Sequence, residues 1–139
     1  MIYEKKCVIV IDKNLPLGVI ANTSAILGCT LGKSIPSIVG SDVNDKDNFM
    51  HKGVINIPLP ILSSTKEEIK KLYEKVNEKH DDNIKLIDFN SVAQKCKDYN
   101  DYIEKLSCFK ASELSYLGIC MYGNKKAINS LTGSIPTLK

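Results

Sequence analysis

Short apolar runs alternate with longer amphipathic segments along the chain of 139 residues. The run at 7–11, CVIVI, is continuous and rich in β-branched residues, which is typical of a strand covered on both faces. Runs at 84–89 and 113–123 also predict strands. The run at 54–62 predicts an edge strand because Pro58 and Pro60 cannot donate to a sheet.

Four helices are predicted between these strands, at 15–31, 63–80, 98–109 and 124–133. Pro16 lies near the first turn of the first helix, where a missing N–H costs nothing. Ser64 with Glu67, or Thr65 with Glu68, has the spacing of a capping box. Gly133 ends the last helix and can take a left-handed conformation there.

This order of strands and helices predicts an α/β domain with helices on both faces of a mostly parallel sheet. No internal repeat or linker interrupts it, so residues 1–139 are interpreted as a single domain. The polar, turn-rich segment 33–53 predicts a long surface loop.

Small residues recur along one side of the first helix and fall within an arc of about 80° at 3.6 residues per turn. Each glycine in a helix interior costs about 1 kcal/mol relative to alanine. We therefore expect this small-residue stripe to pack closely, most simply against the sheet. The stripe comprises Gly18, Ala21, Ala25, Gly28 and Gly32.

The basic residues are all lysine, 19 in number, and the net charge is only +3. Lysine lacks the planar fork with which arginine reads guanine and grips phosphate, so sequence-specific nucleic-acid binding is disfavoured. The five cysteines are odd in number and form no CxxC pair, which favours a reducing compartment. With no signal-peptide pattern and no apolar run long enough to span a membrane, we predict a cytoplasmic protein.

Two aspartates follow predicted strands, Asp12 and Asp88. Ligands of open α/β sheets bind beyond the carboxyl ends of strands. If the two strands are parallel and adjacent, both carboxylates share one rim with Lys13 and Asn22, and paired acids can divide acid and base roles. The structural alternative is that each aspartate caps the turn or helix that follows it.

The chain lacks the glycine-rich motifs that bind phosphates, since Gly18 stands alone after the first strand. His80 ends a charged helix, where contact with the helix C-terminus accounts for it. A second acidic group could bind a cation, but its spacing matches no calcium or zinc motif. We therefore predict no metal and no cofactor. This group consists of Asp42, Asp45, Asp47 and His51.

Four segments together resemble the DUF2000 family, a domain of unknown function: VIVIDKNLPLGVIANTSAILG, GVINIPLPIL, LIDFNSVAQKCKDYNDY and YLGICMYGNKKAINSLTG. They occur in order over nearly the whole chain. That family is similar in fold to the archaeal and eukaryotic type of peptidyl-tRNA hydrolase. The resemblance implies a three-layer α/β/α sandwich around a mixed four-stranded sheet, often dimeric.

The hydrolases follow their first strand with Asp-Leu-x-Met-x-x-Gly-Lys-x-Ala-Ala-Gln. In the same frame, Asp12, Gly18 and Ala21 match this pattern, and Asn22 takes the place of the glutamine. The lysine that is thought to act in catalysis falls on Val19, which can neither donate to nor neutralise an ester or phosphate.

The hydrolases' third strand ends in an aspartate followed by Ala-Gly-x-Thr-Gln and a Pro-Gly-Ser-x-Thr loop. Asp88 matches the aspartate and Gln94 is displaced by one position from the glutamine. The loop is absent, and residues 95–111, with a predicted tyrosine-bearing helix, replace it. A shared fold does not carry function across.

Three functions follow from these residues. The first is a binding module that has lost the hydrolase constellation and holds a small ligand or a partner through Asp12, Asn22, Asp88 and Gln94. The second is a hydrolase of peptidyl- or aminoacyl-tRNA in which Lys13 replaces the missing lysine beside Asp12 and Asp88. The third is a different enzyme that uses the acids and a cation. The binding module is the favoured function of the three. Of the partners, tRNA is not favoured, and a homodimer is one of the alternatives.

Overall fold

The computed structural model describes residues 4–79 and 83–139. His80 lies outside these residues. The elements occur in the order β1 (Lys5–Asp12), α1 (Leu17–Ser34), β2 (Val43–Asn44), β3 (Met50–His51), β4 (Ile61–Ser64), α2 (Lys66–Glu78), β5 (Ile84–Asn90), α3 (Ser91–Lys95), α4 (Tyr99–Leu106), β6 (Tyr116–Asn124) and α5 (Lys125–Thr132). The protein is therefore an α/β protein, with five α-helices in the part of the chain that the structure describes.

Four of the strands form a mixed sheet in the order β4-β1-β6-β5. β1 pairs with β4 in parallel, whereas β6 runs antiparallel to both β1 and β5. The prediction of a mixed sheet is confirmed. The prediction that the sheet is mostly parallel is wrong for the strand pairings, because two of the three are antiparallel. The last strand inserts between β1 and β5 and separates them.

Apolar side chains form a core cluster on each face of this sheet. One cluster joins Cys7, Ile9 and Ile11 of β1 to Leu27 and Leu31 of α1. Since successive side chains of a strand point to opposite faces, the neighbouring residues of β1 enter the other cluster. That cluster joins Val8 and Val10 of β1 to α2 and α5 through Ile69, Val76 and Ile128.

The edge of the sheet at β4 is covered by the end of the chain. Leu62 forms an antiparallel bridge with Thr137. The N–H of Ser63 donates to the carbonyl of Pro136 at 2.8 Å, and the N–H of Leu138 donates to the carbonyl of Ile61 at 2.9 Å. The prediction of an edge strand near 54–62 is thus confirmed in kind, although the strand begins only after Pro60.

The small-residue stripe of α1 faces away from the sheet, which contradicts the prediction. Ala21 and Ala25 are exposed, and a Cβ added at Gly18 or Gly28 would meet no atom within 4 Å. The buried side of α1 carries Thr23, Leu27 and Leu31 instead. Large apolar side chains gain more from burial than small ones, and they determine which side of the helix faces the core.

The segment 33–53 is more ordered than the predicted loop. A 3₁₀ turn at Pro36–Ile38 is followed by the two-stranded hairpin of β2 and β3. Gly53 is required where the ends of this segment meet, because a Cβ there would lie 1.8 Å from the carbonyl oxygen of Gly40.

The residues that begin and end the helices agree in part with those indicated by the sequence. The hydroxyl of Thr65 accepts from the N–H of Glu68 at 3.3 Å at the start of α2. Gly133 follows α5 but has φ of −60°, so it stays right-handed and the left-handed end predicted for it is wrong. The predicted helix at 98–109 is present as α4, with the shorter α3 before it.

Candidate functional site

Asp12 caps the turn that follows β1. Its side chain is buried, with 6% exposed, and its Oδ1 accepts from the N–H of Asn14 at 3.0 Å. The N–H of Lys13 donates to the carbonyl of Ser64 at 3.0 Å, which fixes the same turn against β4. A carboxylate bound to the N–H two residues later stabilises a local turn. Asp12 therefore caps the turn that follows its strand, which is the structural alternative given for it above.

The structure does not bring Asp12 and Asp88 together on adjacent strands. β6 lies between β1 and β5, and two strand spacings amount to about 10 Å. Asp88 pairs with Ile119, which in turn pairs with Val10, two residues before Asp12 along β1. β1 and β5 run in the same direction, because β6 is antiparallel to both, but they are not adjacent, so one of the two conditions for the expected rim is not met.

Lys13 and Asn22 are both exposed. Val19 is half-buried and packs against the core cluster under α1. Its apolar side chain is accounted for by this packing.

A cleft of about 590 Å³ lies beside β5, which is an edge strand of the sheet among the described residues. Residues 86–89 of β5 form its floor, α1 forms one wall, and α3 and α4 form the other. Asp88 lines this cleft, whereas Asp12, Lys13, Asn22 and Gln94 do not. A volume of this size lies within the range of small-molecule sites, which is roughly 300–1,000 Å³.

Asn90 fixes the carboxylate of Asp88 at the end of β5. Its amide nitrogen donates to Asp88 Oδ2 at 2.9 Å, and its carbonyl oxygen accepts from the N–H of Ala93 at 2.9 Å, which caps α3. Asn90 is 1% exposed, so both ends of its amide are used inside the protein. Asp88 itself is half-buried, and it lies at the border between the core and the cleft.

Two stacked tyrosines lie on the core side of Asp88. The rings of Tyr73 and Tyr116 are 4.4 Å apart. Burial raises the pKa of both phenols, and the negative charge of Asp88 raises the pKa of each further. Both phenols therefore stay protonated and neutral at physiological pH.

The outer wall of the cleft is aromatic. The rings of Tyr99 and Tyr102 meet edge to face at 5.7 Å, and 73% of Tyr99 is exposed. Asp98 precedes them and caps α4, because its Oδ1 accepts from the N–H of Asp101 at 2.8 Å. The cleft thus combines carboxylates with accessible aromatic rings.

Cys96 also lines the cleft. Its Sγ donates to the carbonyl of Val92 at 3.0 Å. Partial burial and the negative charge of Asp101 raise the pKa of this thiol. The thiolate is the nucleophilic form of cysteine, so these surroundings disfavour nucleophilic catalysis by Cys96.

The role of Asn90 and the contribution of the aromatic wall to the site were not predicted from the sequence. Asn90 directly precedes a helix, which is the position of an N-cap, and that signal was available. The tyrosines were recognised only as part of a helix, because nothing local indicates that α4 folds back along β5.

The acidic group of residues 42–51 is used within the hairpin. Asp45 Oδ2 lies 2.7 Å from Nε2 of His51, and this hydrogen bond, together with those from backbone N–H groups, lowers the pKa of Asp45. Asp42 accepts from the N–H of Gly53 at 2.9 Å. Within residues 4–79 and 83–139, no three His, Cys, Asp or Glu side chains are grouped so that they could hold a metal ion.

Over the same residues, no helix has both the length and the apolar composition needed to cross a membrane.

Comparison with solved structures gives a match over almost the whole fold. A protein of unknown function from Agrobacterium tumefaciens strain C58, Atu0240, superposes with a TM-score of 0.86 and 13% sequence identity, over 98% of each chain. At this identity the match shows a shared fold alone. No curated protein matches the chain.

Comparison with protein-family models also gives a match over almost the whole chain. The model of DUF2000, described as a protein of unknown function, matches residues 5–139. These residues include β1, the cleft and the chain end that covers β4. The chain therefore belongs to the DUF2000 family.

Proposed function

We propose that this protein is a binding module whose ligand occupies the cleft beside β5 and carries a positive charge next to Asp88. The observation that carries the proposal is the placement of a half-buried carboxylate, held by Asn90, in a cleft with accessible tyrosine rings. A carboxylate attracts an ammonium group, and the face of a tyrosine ring attracts it as well. The proposal narrows the ligand-binding set from Asp12, Asn22, Asp88 and Gln94 to Asp88.

The wider setting of the proposal keeps the expectations drawn from the sequence. We propose a single domain with the three-layer arrangement of a peptidyl-tRNA hydrolase-like fold, supported by core clusters on both faces of the sheet. A cytoplasmic location remains part of the proposal and rests on the odd number of cysteines and the lack of a CxxC pair among them. Loss of the hydrolase lysine at Val19 favours binding over ester hydrolysis.

The test is a titration of isotope-labelled protein with butylammonium chloride, followed by NMR. Amide shifts are expected in β5 and α4 and should weaken as salt is added, because salt screens partly exposed charges. Butanol, which has the same apolar chain without the charge, should give smaller shifts. Absence of shifts in β5 and α4 up to high millimolar butylammonium would refute the proposal.

Asp88→Asn removes the charge and preserves the shape of the side chain. A hydrogen bond to a charged group contributes about 1.5–3 kcal/mol, and partial exposure reduces this to about 1 kcal/mol. We therefore expect at least fivefold weaker butylammonium binding, since 1.4 kcal/mol corresponds to tenfold. Asp47→Asn is the matched control because it makes the same charge change on the exposed hairpin.

Cleavage of peptidyl-tRNA separates this proposal from the hydrolase alternative. The binding module predicts no turnover. Turnover that is abolished by both Asp88→Asn and Lys13→Ala would overturn the proposal in favour of the hydrolase.

A further inference from the structure

The two edges of the sheet are treated differently. At β4, residues 136–138 of the chain add an antiparallel segment through two backbone hydrogen bonds. At β5, the one strand that pairs with it within the described residues is β6. The outward N–H and C=O groups of an edge strand form a template for a further strand, and this template is available at β5.

The cleft lies along this free edge. Four successive residues of β5, Leu86 to Phe89, line it. Successive side chains of a strand point to opposite faces of the sheet, so a cleft confined to one face would touch only alternate residues. Contact with all four favours a cleft that follows the edge, where the backbone groups are.

The dimensions and walls of the cleft fit an extended chain. Four residues of a strand span about 13 Å, and the cleft has a volume of about 590 Å³. Side chains of an added strand would alternate between the two faces, and the lining of the cleft offers them Ile26 of α1 and Tyr102 of α4. Pockets for alternate side chains are characteristic of recognition by strand addition.

Charge selects among such peptides. The charged side chains that line the cleft are Asp88 and Asp98, although the chain contains 19 lysines. A residue that lies directly opposite Asp88 on an added strand would have its side chain close to the carboxylate. The cleft is thus complementary to a basic side chain.

We propose that β5 accepts an extended segment of a partner protein by strand addition, with a lysine or arginine of that segment beside Asp88. The inference rests on the proposed function, because it uses the same cleft and the same carboxylate. It adds the partner's class, a peptide, and assigns the larger part of its recognition to main-chain hydrogen bonds.

The probe is a blocked pentapeptide with lysine at its centre and valine and threonine around it. Two further versions carry N-methyl groups on alternate amides, so that one version blocks the amides that face β5 and the other blocks those that face away. One version is expected to lose binding at least tenfold while the other stays within threefold of the parent peptide. Equal effects of the two versions would overturn the proposal.

The protein variants test the charge. Asp88→Asn should weaken the lysine peptide at least fivefold and leave a peptide with central norleucine within twofold, and Asp47→Asn should change neither. Equal losses for the two peptides in Asp88→Asn would overturn the assigned role of the basic side chain.

The outcomes separate this inference from the function on which it rests. Butylammonium binding that depends on Asp88, without any difference between the two methylated peptides, would overturn strand addition and leave the proposed function intact. A dimer that persists at saturating peptide, with the β5 amides protected from hydrogen exchange before the peptide is added, would assign the edge to a second copy of the chain and overturn the inference.

Discussion

Thr23 on α1 provides a stringent test of how the core is packed, because it buries a hydroxyl group without a partner. The residue is 0% exposed. Within the described residues, its Oγ1 is the single buried side-chain oxygen or nitrogen that has no hydrogen bond. Replacement by valine keeps the shape of the side chain and removes the hydroxyl.

The magnitude follows from the cost of desolvation. An unsatisfied buried hydroxyl costs about 1–3 kcal/mol, and valine and threonine have similar helix propensities. Thr23→Val should therefore raise the free energy of unfolding by about 1–2 kcal/mol. An unfolding entropy of about 2.1 cal/mol/K per residue over 139 residues gives an increase in Tm of about 3–7 °C.

Thr132 on α5 is the matched control. It is also buried, with 3% exposed, but its Oγ1 donates to the carbonyl of Ile128 at 2.7 Å. Thr132→Val should therefore lower stability by about 0.5–1.5 kcal/mol, the net contribution of an ordinary hydrogen bond. Urea unfolding followed by circular dichroism measures both variants. A loss of stability in Thr23→Val similar to that in Thr132→Val would refute the reasoning.

Three further predictions concern stability. Gly28→Ala should raise the free energy of unfolding by up to about 1 kcal/mol in urea titrations, because the added methyl group meets open space and alanine favours the helix. Gly118→Ala should lower it by about 1–3 kcal/mol in the same assay, because the new Cβ would lie 2.7 Å from Cδ1 of Ile11 and 3.1 Å from the carbonyl oxygen of Val10. Burial raises the pKa of Cys7 to about 11 and that of Cys120 to about 12. The contribution of these two protonated thiols to the free energy of unfolding should therefore be complete below about pH 9, the pKa of an unburied thiol, and lost as pH rises through 11–12. Between pH 8 and pH 10.5, the urea midpoint should fall less in a double cysteine-to-alanine variant than in the native protein.

Periodicity predicted the main elements because burial follows the same periodicity. The run at 7–11 lies within β1, and the helices and strands after it occur in the predicted order. The orientation of α1 was predicted wrongly because its two sides carry competing signals. The small-residue stripe suggested close approach, but Leu27 and Leu31 on the other side fill the core.

Strand order could not be predicted from the pattern, and the site depends on it. A run such as 113–123 has the same composition whether it lies at an edge or in the centre of a sheet. Its insertion as β6 between β1 and β5 separates Asp12 from Asp88. Asp88, a candidate taken from the sequence, lines the cleft. Tyr99 and Tyr102 also line it, but they do so through the path of the chain after β5, which local spacing does not specify.

The two strand-end aspartates have different surroundings because of the segments that follow them. After β1 the chain forms a turn that uses the carboxylate of Asp12 as an acceptor and is held to β4 through Lys13. After β5 the cap is formed by the next side chain but one, Asn90, which holds Asp88 by one oxygen and starts α3. Asp88 is thus oriented by Asn90 and does not cap a turn. The chain that continues into α4 forms a wall of the cleft. An oriented carboxylate at an open sheet edge is suited to holding a cationic group of a bound chain, and this is the physical basis of the binding function proposed for this protein.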